Sequence, residues 1–209
     1  MISCALKQME MGDIILSTAA QQYGGFTVPE VDKILEPYAE KSYFKYYEEY
    51  MDMAFDVDSC FDERQELEEK ADKYATDKVH RDFEQGWQGI EMKLNSVGSS
   101  RGDYPFVTMT TGLATSKFGK MASITLLDVH SKGQGKKGFK RPVLFPKIVF
   151  LYDKELHGDG SDKYPLEVMK YINDYTNRIK KEDHILYIHL RTKMWVLSFL
   201  KIDLMQLKQ

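Results

Sequence analysis

Two apolar runs separated by a helical segment constrain the fold of this chain most strongly. The first run is the predicted strand 105–111, PFVTMTT, and the second is the predicted strand 143–152, VLFPKIVFLY, which is apolar enough to be buried on both faces. The segment 116–129 between them predicts a helix. Because strands joined through a helix usually pair in parallel with a right-handed crossover, this order indicates an α/β fold.

The part of the chain before this unit is predicted to be rich in helices. Residues 5–22 are small and apolar, and Thr27 to Glu30 match a capping box that would start a second helix, with Pro37 kinking or breaking it. The clearest signal predicts a helix of about five turns, because apolar residues recur every three or four positions. They are Val79, Phe83, Trp87, Ile90, Leu94 and Val97.

The opposite side of this helix is polar and contains Gly86 and Gly89. Glycines in a helix indicate that another backbone comes close, so we expect a helix pair here, and a subunit interface is one use of such a pair. The polar residues considered for binding are Arg81, Gln85, Gln88 and Lys93.

Composition excludes several classes of protein. The 209 residues are enough for a hydrophobic core that needs no disulfide bonds or metal ions for stability. A net charge of -3 does not indicate nucleic acid as a partner. Two cysteines, Cys4 and Cys60, exclude a disulfide framework and a four-cysteine metal site within the chain. Without a signal peptide or a long apolar segment, we expect a cytoplasmic protein without a membrane span.

No metal site is predicted. Four acidic residues match positions of a calcium-binding loop, but Val57 stands where the sharp turn of that loop needs glycine. His184 and His189 are five residues apart, which does not place both on one helical face. The four acidic residues are Asp52, Asp56, Asp58 and Glu63.

Hydroxyls at the end of the first strand are the physical indication of a binding site. No nucleophile, Walker or zinc-protease motif is present, so no catalytic residue is predicted. Ligands of parallel sheets gather at the carboxyl ends of the strands. We therefore predict substrate binding at Thr108, Thr110, Thr111 and Gly112.

The segment Gly133–Gly138, GQGKKG, formally matches a dinucleotide-binding fingerprint. That motif requires a strand before it and a helix after it, whereas here a helix precedes and a strand follows. A mobile basic loop could still meet a phosphate, through Lys136, Lys137 and Lys140.

Five blocks resemble, in order, the barrel region of the anaerobic (class III) ribonucleoside-triphosphate reductases. They are YGGFTVP at 23–29, LEPYA at 35–39, PFVTMTTGLATS at 105–116, GQGKKG at 133–138 and FPKIVF at 145–150. The resemblance covers roughly residues 5–160, and residues 161–209 form an unmatched C-terminal tail.

This resemblance implies part of a ten-stranded α/β barrel of the glycyl-radical type with a helix-rich N-terminal half. It implies a homodimer that reduces ribonucleoside triphosphates through glycyl and thiyl radicals. The radical would come from an activase carrying an iron-sulfur cluster and S-adenosylmethionine, and zinc would lie in a part of the family's chain not found here. A dNTP or ATP effector would bind near helices at the dimer interface, for which the helix 79–97 is the candidate.

Several family motifs are missing from the sequence. The radical motif R-x-x-G-Y, the paired C-x-x-C motifs, the Met-Gly-Cys loop and the ATP-cone do not occur, and neither Cys4 nor Cys60 matches a catalytic cysteine. We therefore expect the isolated chain to lack reductase activity, since a radical relay needs all its members.

Three interpretations stay open. The chain is a fragment or split piece of a reductase, from a truncated or interrupted gene, or it is a non-catalytic nucleotide-binding or regulatory module of the same origin. A third is that an incomplete barrel leaves open strand edges and the product is unstable.

Overall fold

The computed structural model describes residues 3–22, 24–55, 64–96, 104–136, 139–141, 143–153, 156 and 186–190. These residues form four helices and four strands. In chain order they are α1 (Cys4–Gln21), β1 (Phe26–Val28), α2 (Val31–Phe55), α3 (Arg64–Ser96), β2 (Val107–Thr111), α4 (Lys117–Lys132), β3 (Lys147–Tyr152) and β4 (Leu186–Leu190).

The strands form a single parallel sheet in the order β1-β2-β3-β4. Residue Thr108 of β2 pairs with Thr27 of β1 and with Lys147 of β3, which sets the register. The α/β prediction and the strand, helix, strand order are confirmed. Helix α4 begins at the carboxyl end of β2, so it returns along the sheet to the amino end of β3.

The core of the described residues lies on one face of this sheet. Val107 and Met109 of β2 and Ile148 and Phe150 of β3 point into it, together with apolar residues of all four helices. Trp87 at its centre is fully buried and donates its indole N–H to the carbonyl of Ala122, 3.2 Å away.

The prediction that β3 is buried on both faces is wrong for the described part of the chain. Val149 and Leu151 alternate with the core residues and are only half-buried. Strand β3 also begins later than expected, at Lys147. The reason is that the N–H groups of Leu144 and Phe145 donate to the side-chain oxygen of Asn95, at 3.0 and 3.1 Å, and not to a neighbouring strand.

The predicted capping box at Thr27 is also wrong. Thr27 lies in β1, and the N–H of Glu30 donates to the hydroxyl of Thr110, 80 residues away, at 2.8 Å. Helix α2 starts instead from the carbonyl of Glu30, which accepts from the N–H of Ile34 at 3.1 Å. A partner distant in sequence replaces the local hydrogen bond, which is why the local pattern misleads.

Helices α2 and α3 are both longer than the sequence predicted. Pro37 lies inside α2 without ending it, because Val31, Leu35 and Ala39 bury one face of the helix and offset the missing hydrogen bond. Helix α3 starts at Arg64, so much of the acidic segment is helical, with surface ion pairs one turn apart. The predicted calcium-like residues Asp56, Asp58 and Glu63 lie outside the described residues.

Helices α1 and α3 lie side by side in parallel, and glycines allow their close approach. Gln8 packs over Gly86 of α3, and Gly12 of α1 packs against Ile90 and Lys93. The predicted close approach at Gly86 thus occurs within the chain. Gly89 differs, because nothing lies within 4 Å of a side chain built there.

Substitution of these two glycines should have opposite effects. In Gly86→Ala the new methyl group would lie 2.0 Å from Gln8 Oε1 and 2.8 Å from its Cβ, so we expect a loss of about 1–3 kcal/mol in the free energy of unfolding. Gly89→Ala meets open space and should gain up to about 1 kcal/mol from helix propensity. Urea unfolding measures both, and equal effects would contradict the described packing of α1 on α3.

Candidate functional site

The face of the sheet opposite the core carries polar side chains. Thr27, Thr108 and Lys147 lie in one row across three strands, with Thr110 and Val149 in the next row. Thr27 is exposed and the other four residues are half-buried. The structure therefore brings Thr108 and Thr110 together, and it adds Lys147 and Thr27, which the sequence interpretation missed.

Lys147 places a cation on this polar face. Its ammonium group lies 4.3 Å from the centroid of the Phe106 ring, an aromatic contact that holds the long side chain over the sheet. The alternation of Lys147, Val149 and Leu151 with buried residues was the sequence signal that could have identified the face. That signal was obscured because every residue from 148 to 151 is apolar.

The hydroxyls of the remaining predicted residues are engaged within the protein. Thr110 accepts from the backbone N–H of Glu30, while Thr111 is fully buried on the core side and shares a 2.6 Å hydrogen bond with Ser123. A hydroxyl that accepts one bond keeps its own proton to donate. Thr110 can thus still donate a hydrogen bond, whereas Thr111 faces away from the polar face.

Gly112 serves the contact between neighbouring strands. Its φ is +114°, and a Cβ there would lie 2.8 Å from the Phe150 ring and 2.9 Å from the carbonyl oxygen of Leu151. Strand β3 therefore fills the space that we expected a ligand to approach. The N–H of Gly112 donates to Asp32, a buried carboxylate that the sequence interpretation also missed.

The basic loop lies at the other end of α4, toward the amino ends of the strands. Lys136 and Lys140 belong to a turn closed by hydrogen bonds between Gln134 and Arg141, after the last turn of α4. A helix of 16 residues is about 24 Å long, so α4 separates this loop from the end of β2. These lysines do not join the predicted substrate residues, and Lys137 lies outside the described residues.

The candidate effector residues lie along α3. Arg81, Gln85 and Gln88 are exposed on one stripe that continues to Met92, whose side chain is 63% exposed. Lys93 lies apart from this stripe, because its ammonium group pairs with Asp13 of α1 at 2.6 Å.

Comparisons with known proteins agree with this architecture. The sequence profile described as "Anaerobic ribonucleoside-triphosphate reductase" matches residues 2–177, which is most of the chain. The chain belongs to the anaerobic ribonucleoside-triphosphate reductase family. The match continues past residue 160. The limit of the reductase region at that residue stays a prediction.

Individual members of the family are much longer than the region that this chain matches. The anaerobic ribonucleoside-triphosphate reductase of Enterobacteria phage T4 is 32% identical over 144 residues, which cover 69% of this chain and 21% of the phage protein. The enzyme of Haemophilus influenzae is 31% identical over 150 residues, covering 71% and 19%, and that of Escherichia coli is 28% identical over 159 residues, covering 74% and 20%. The chain thus spans about a fifth of the length of these reductases.

Cys4 does not have the environment of a reactive cysteine. Its side chain is fully buried between α1 and α2, and its backbone N–H donates to the hydroxyl of Ser42 at 2.9 Å. Burial, with a contribution from the negative charge of Asp82, raises the pKa of the thiol to about 12. Cys60 and His184 lie outside the described residues.

Among the residues that the structure describes, no group of three or more His, Cys, Asp or Glu side chains is arranged to hold a metal ion. None of the four helices is both long and apolar enough to cross a membrane.

A second buried acid lies near the other end of the sheet. Glu91 of α3 and His130 of α4 are both buried, with Glu91 Oε1 at 2.8 Å from His130 Nδ1. Desolvation raises the pKa of Glu91 above its ordinary value of 4.5, although the contact with His130 acts in the opposite direction. The second carboxylate oxygen is buried without a hydrogen-bond partner among the described residues.

The burial of Cys4 predicts low reactivity in the folded protein. In a Cys60→Ser variant, iodoacetamide at pH 8 should leave Cys4 largely unlabelled, because a thiol of pKa about 12 is almost entirely protonated and inaccessible. The same variant in urea should be labelled. Mass spectrometry distinguishes the two states, and rapid labelling of the native variant would contradict the described burial.

The raised pKa of Glu91 predicts a pH dependence of stability. The folded state binds this proton more tightly than the unfolded state, so the contribution is present below pH 4.5 and is lost as the pH rises through the raised pKa. Glu91→Gln removes this titration. Its free energy of unfolding should therefore increase relative to the unchanged protein as the pH is raised above 4.5.

Urea unfolding at several pH values measures this difference. Asp82, whose pKa is also raised by burial, is present in both proteins and cancels in the comparison. A constant difference between pH 4.5 and 8 would show that burial of Glu91 does not affect its pKa.

Proposed function

We propose that this chain is a segment of an anaerobic ribonucleotide reductase and contributes part of its nucleotide site and of its dimer interface. The complete enzyme would reduce ribonucleoside triphosphates to deoxyribonucleotides by glycyl and thiyl radical chemistry. The observation that carries the proposal is the polar face of the sheet, with Thr108, Thr110 and Lys147, in a chain of this family. Hydroxyls and an ammonium group are suitable partners for ribose and phosphate oxygens.

The one-sided core supports a share of a ten-stranded barrel. In α/β barrels the helices form the outer layer and one face of the sheet lines the interior. Here the described helices and the core lie on one face, and the polar face is the one that would line the interior. Strands β1 and β4 are the edges of the described sheet, and further strands of the barrel would pair there.

The residues of this segment would bind and orient the nucleotide. Lys147 would meet a phosphate oxygen with its ammonium group, and the hydroxyls of Thr108 and Thr110 would donate to oxygens of the ribose or the phosphates. In the complete reductase a glycyl radical, generated by an iron-sulfur activase, would supply the oxidising equivalent for the reduction. We assign no residue of this segment to that radical relay.

The exposed stripe of α3 is the proposed place for the effector and the dimer contact. Arg81, Gln85 and Gln88 are available there, and Gly89 leaves open space beside them. Arginine and amide side chains can bind phosphate and base edges. Lys93 would contribute less, since it is already paired with Asp13.

Complementation tests this proposal. Co-expression of the chain with the remainder of a reductase and its activase should restore anaerobic reduction of CTP, and Lys147→Ala should then raise KM for CTP about tenfold, as for the loss of ~1.4 kcal/mol of binding. Lys70→Ala, which removes an exposed lysine of α3, is the matched control and should leave KM unchanged. The rate of dCTP formation is measured.

Two results would speak against the reductase segment. Binding of dNTPs without complementation would favour a non-catalytic nucleotide-binding module. Equal KM values for Lys147→Ala and Lys70→Ala would remove the polar face from the substrate site.

A further inference from the structure

We propose that Asp32 is the positioning residue of the nucleotide site, because its carboxylate fixes the loop that follows β2. This inference rests on the proposed function. The loop comprises residues 112–115 and connects the polar strand β2 to the N-cap of α4, Ser116. Ligands of parallel sheets bind at such carboxyl-terminal loops, so the shape of this loop affects any nucleotide on the polar face.

One oxygen of Asp32 collects three donors. Oδ2 accepts from the backbone N–H of Gly112 at 2.8 Å, from that of Ala114 at 3.0 Å and from the hydroxyl of Ser123 at 3.4 Å. The two backbone donors are on alternate residues of the loop. A single side-chain atom therefore holds the backbone on both sides of Leu113.

The burial of this carboxylate is costly and requires compensation. Asp32 has no exposed surface, and no lysine or arginine within the described ranges pairs with it. Its other oxygen, Oδ1, is buried and has no hydrogen-bond partner among the described residues. The three donors lie around Oδ2, and the side chain is in the first turn of α2, where acidic side chains are favourable.

An apolar side chain could not replace it without loss. Such a residue of similar size would leave the N–H groups of Gly112 and Ala114 without the acceptor that they have now. The position at the start of α2 therefore provides an acceptor for a loop about 80 residues later in the chain.

A further hydrogen bond joins the start of α2 to the end of β2, with the donor now on the side of α2. The N–H of Glu30 donates to Thr110 Oγ1 at 2.8 Å, and Glu30 has a φ of +44°, which is uncommon for a residue with a side chain. The turn before α2 thus holds the end of β2 at Thr110, Gly112 and Ala114. Thr110 belongs to the proposed nucleotide site, so Asp32 and Glu30 together set the position of a binding hydroxyl.

The effect of Asp32 can be separated from general stability by two matched variants. Asp32→Asn keeps the shape of the side chain but weakens its hydrogen bonds and places an NH₂ group without an acceptor at the site of Oδ1. Glu91→Gln makes the same chemical change in the buried acid near the opposite end of the sheet, away from the loop. Calorimetric titration with CTP of each folded protein, assembled with the remainder of a reductase and kept well below its thermal midpoint, gives Kd.

We expect Asp32→Asn to weaken CTP binding about tenfold and Glu91→Gln to leave it unchanged, since the loss of a hydrogen bond to a charged group is enough for such a factor. Amide hydrogen exchange should also become faster at Gly112 and Ala114 in Asp32→Asn alone. A folded Asp32→Asn variant whose Kd lies within about twofold of the unchanged protein would overturn the inference.

The remaining outcomes are also decisive. If the assembly that contains the unchanged chain binds no CTP, the proposed function fails before any variant is made. If that assembly binds CTP and Asp32→Asn leaves its Kd unchanged, only the role of Asp32 is overturned. If Asp32→Asn does not fold, Ser123→Ala takes its place. That variant removes one donor to Asp32 and should weaken binding by a smaller factor, about threefold, and an unchanged Kd would overturn the inference.

Discussion

Strands β2 and β3 are parallel and are joined by α4, so this helix has to return along the sheet and bury its apolar side on it. Only one face offers a continuous apolar surface, formed by Val107, Met109, Ile148 and Phe150. Helix α4 covers that surface, α3 packs on α4, and α1 packs on α3 through Gly86 and Gly12. The other face carries threonines, Lys147 and the half-buried Val149 and Leu151. The alternation of side chains along the strands therefore separates the core from the candidate site.

The polar groups inside this arrangement are few and are connected to chain segments distant in sequence. Asp32 links the start of α2 to the loop after β2, and Glu91 links α3 to α4 near the opposite end of the sheet. Each carries one buried oxygen without a partner among the described residues. Buried acids of this kind contribute little net stability but penalise alternative arrangements strongly, because any shift leaves several polar groups unpaired. They favour one unique relation between helices and sheet.

Sequence patterns predicted the elements that depend on periodicity. The stripe from Val79 to Leu94 indicated the buried face of α3, and the apolar run 105–111 indicated strand β2. Such patterns are local, because the period of a helix or strand repeats over a few residues. The predictions that failed concerned partners. Thr27 resembled a capping residue because its true neighbour in the sheet, Thr108, lies 81 positions later.

The candidate site shows the same division. Thr110 and Gly112 were recognised as special, but the reasons differ from those expected, since Gly112 makes room for Phe150 and Thr110 accepts from Glu30. The local signal of Lys147 was obscured by the apolar residues that follow it, and Asp32 gave none, because an aspartate in the first turn of a helix is common. Residue order alone determines the membership of the reductase family, the α/β class and the helix periods. Each depends on patterns of residues that are close in sequence. The one-sided core, the polar face and the tie between Asp32 and the β2 loop exist only once distant segments are packed, because hydrogen bonds and burial act on proximity in space.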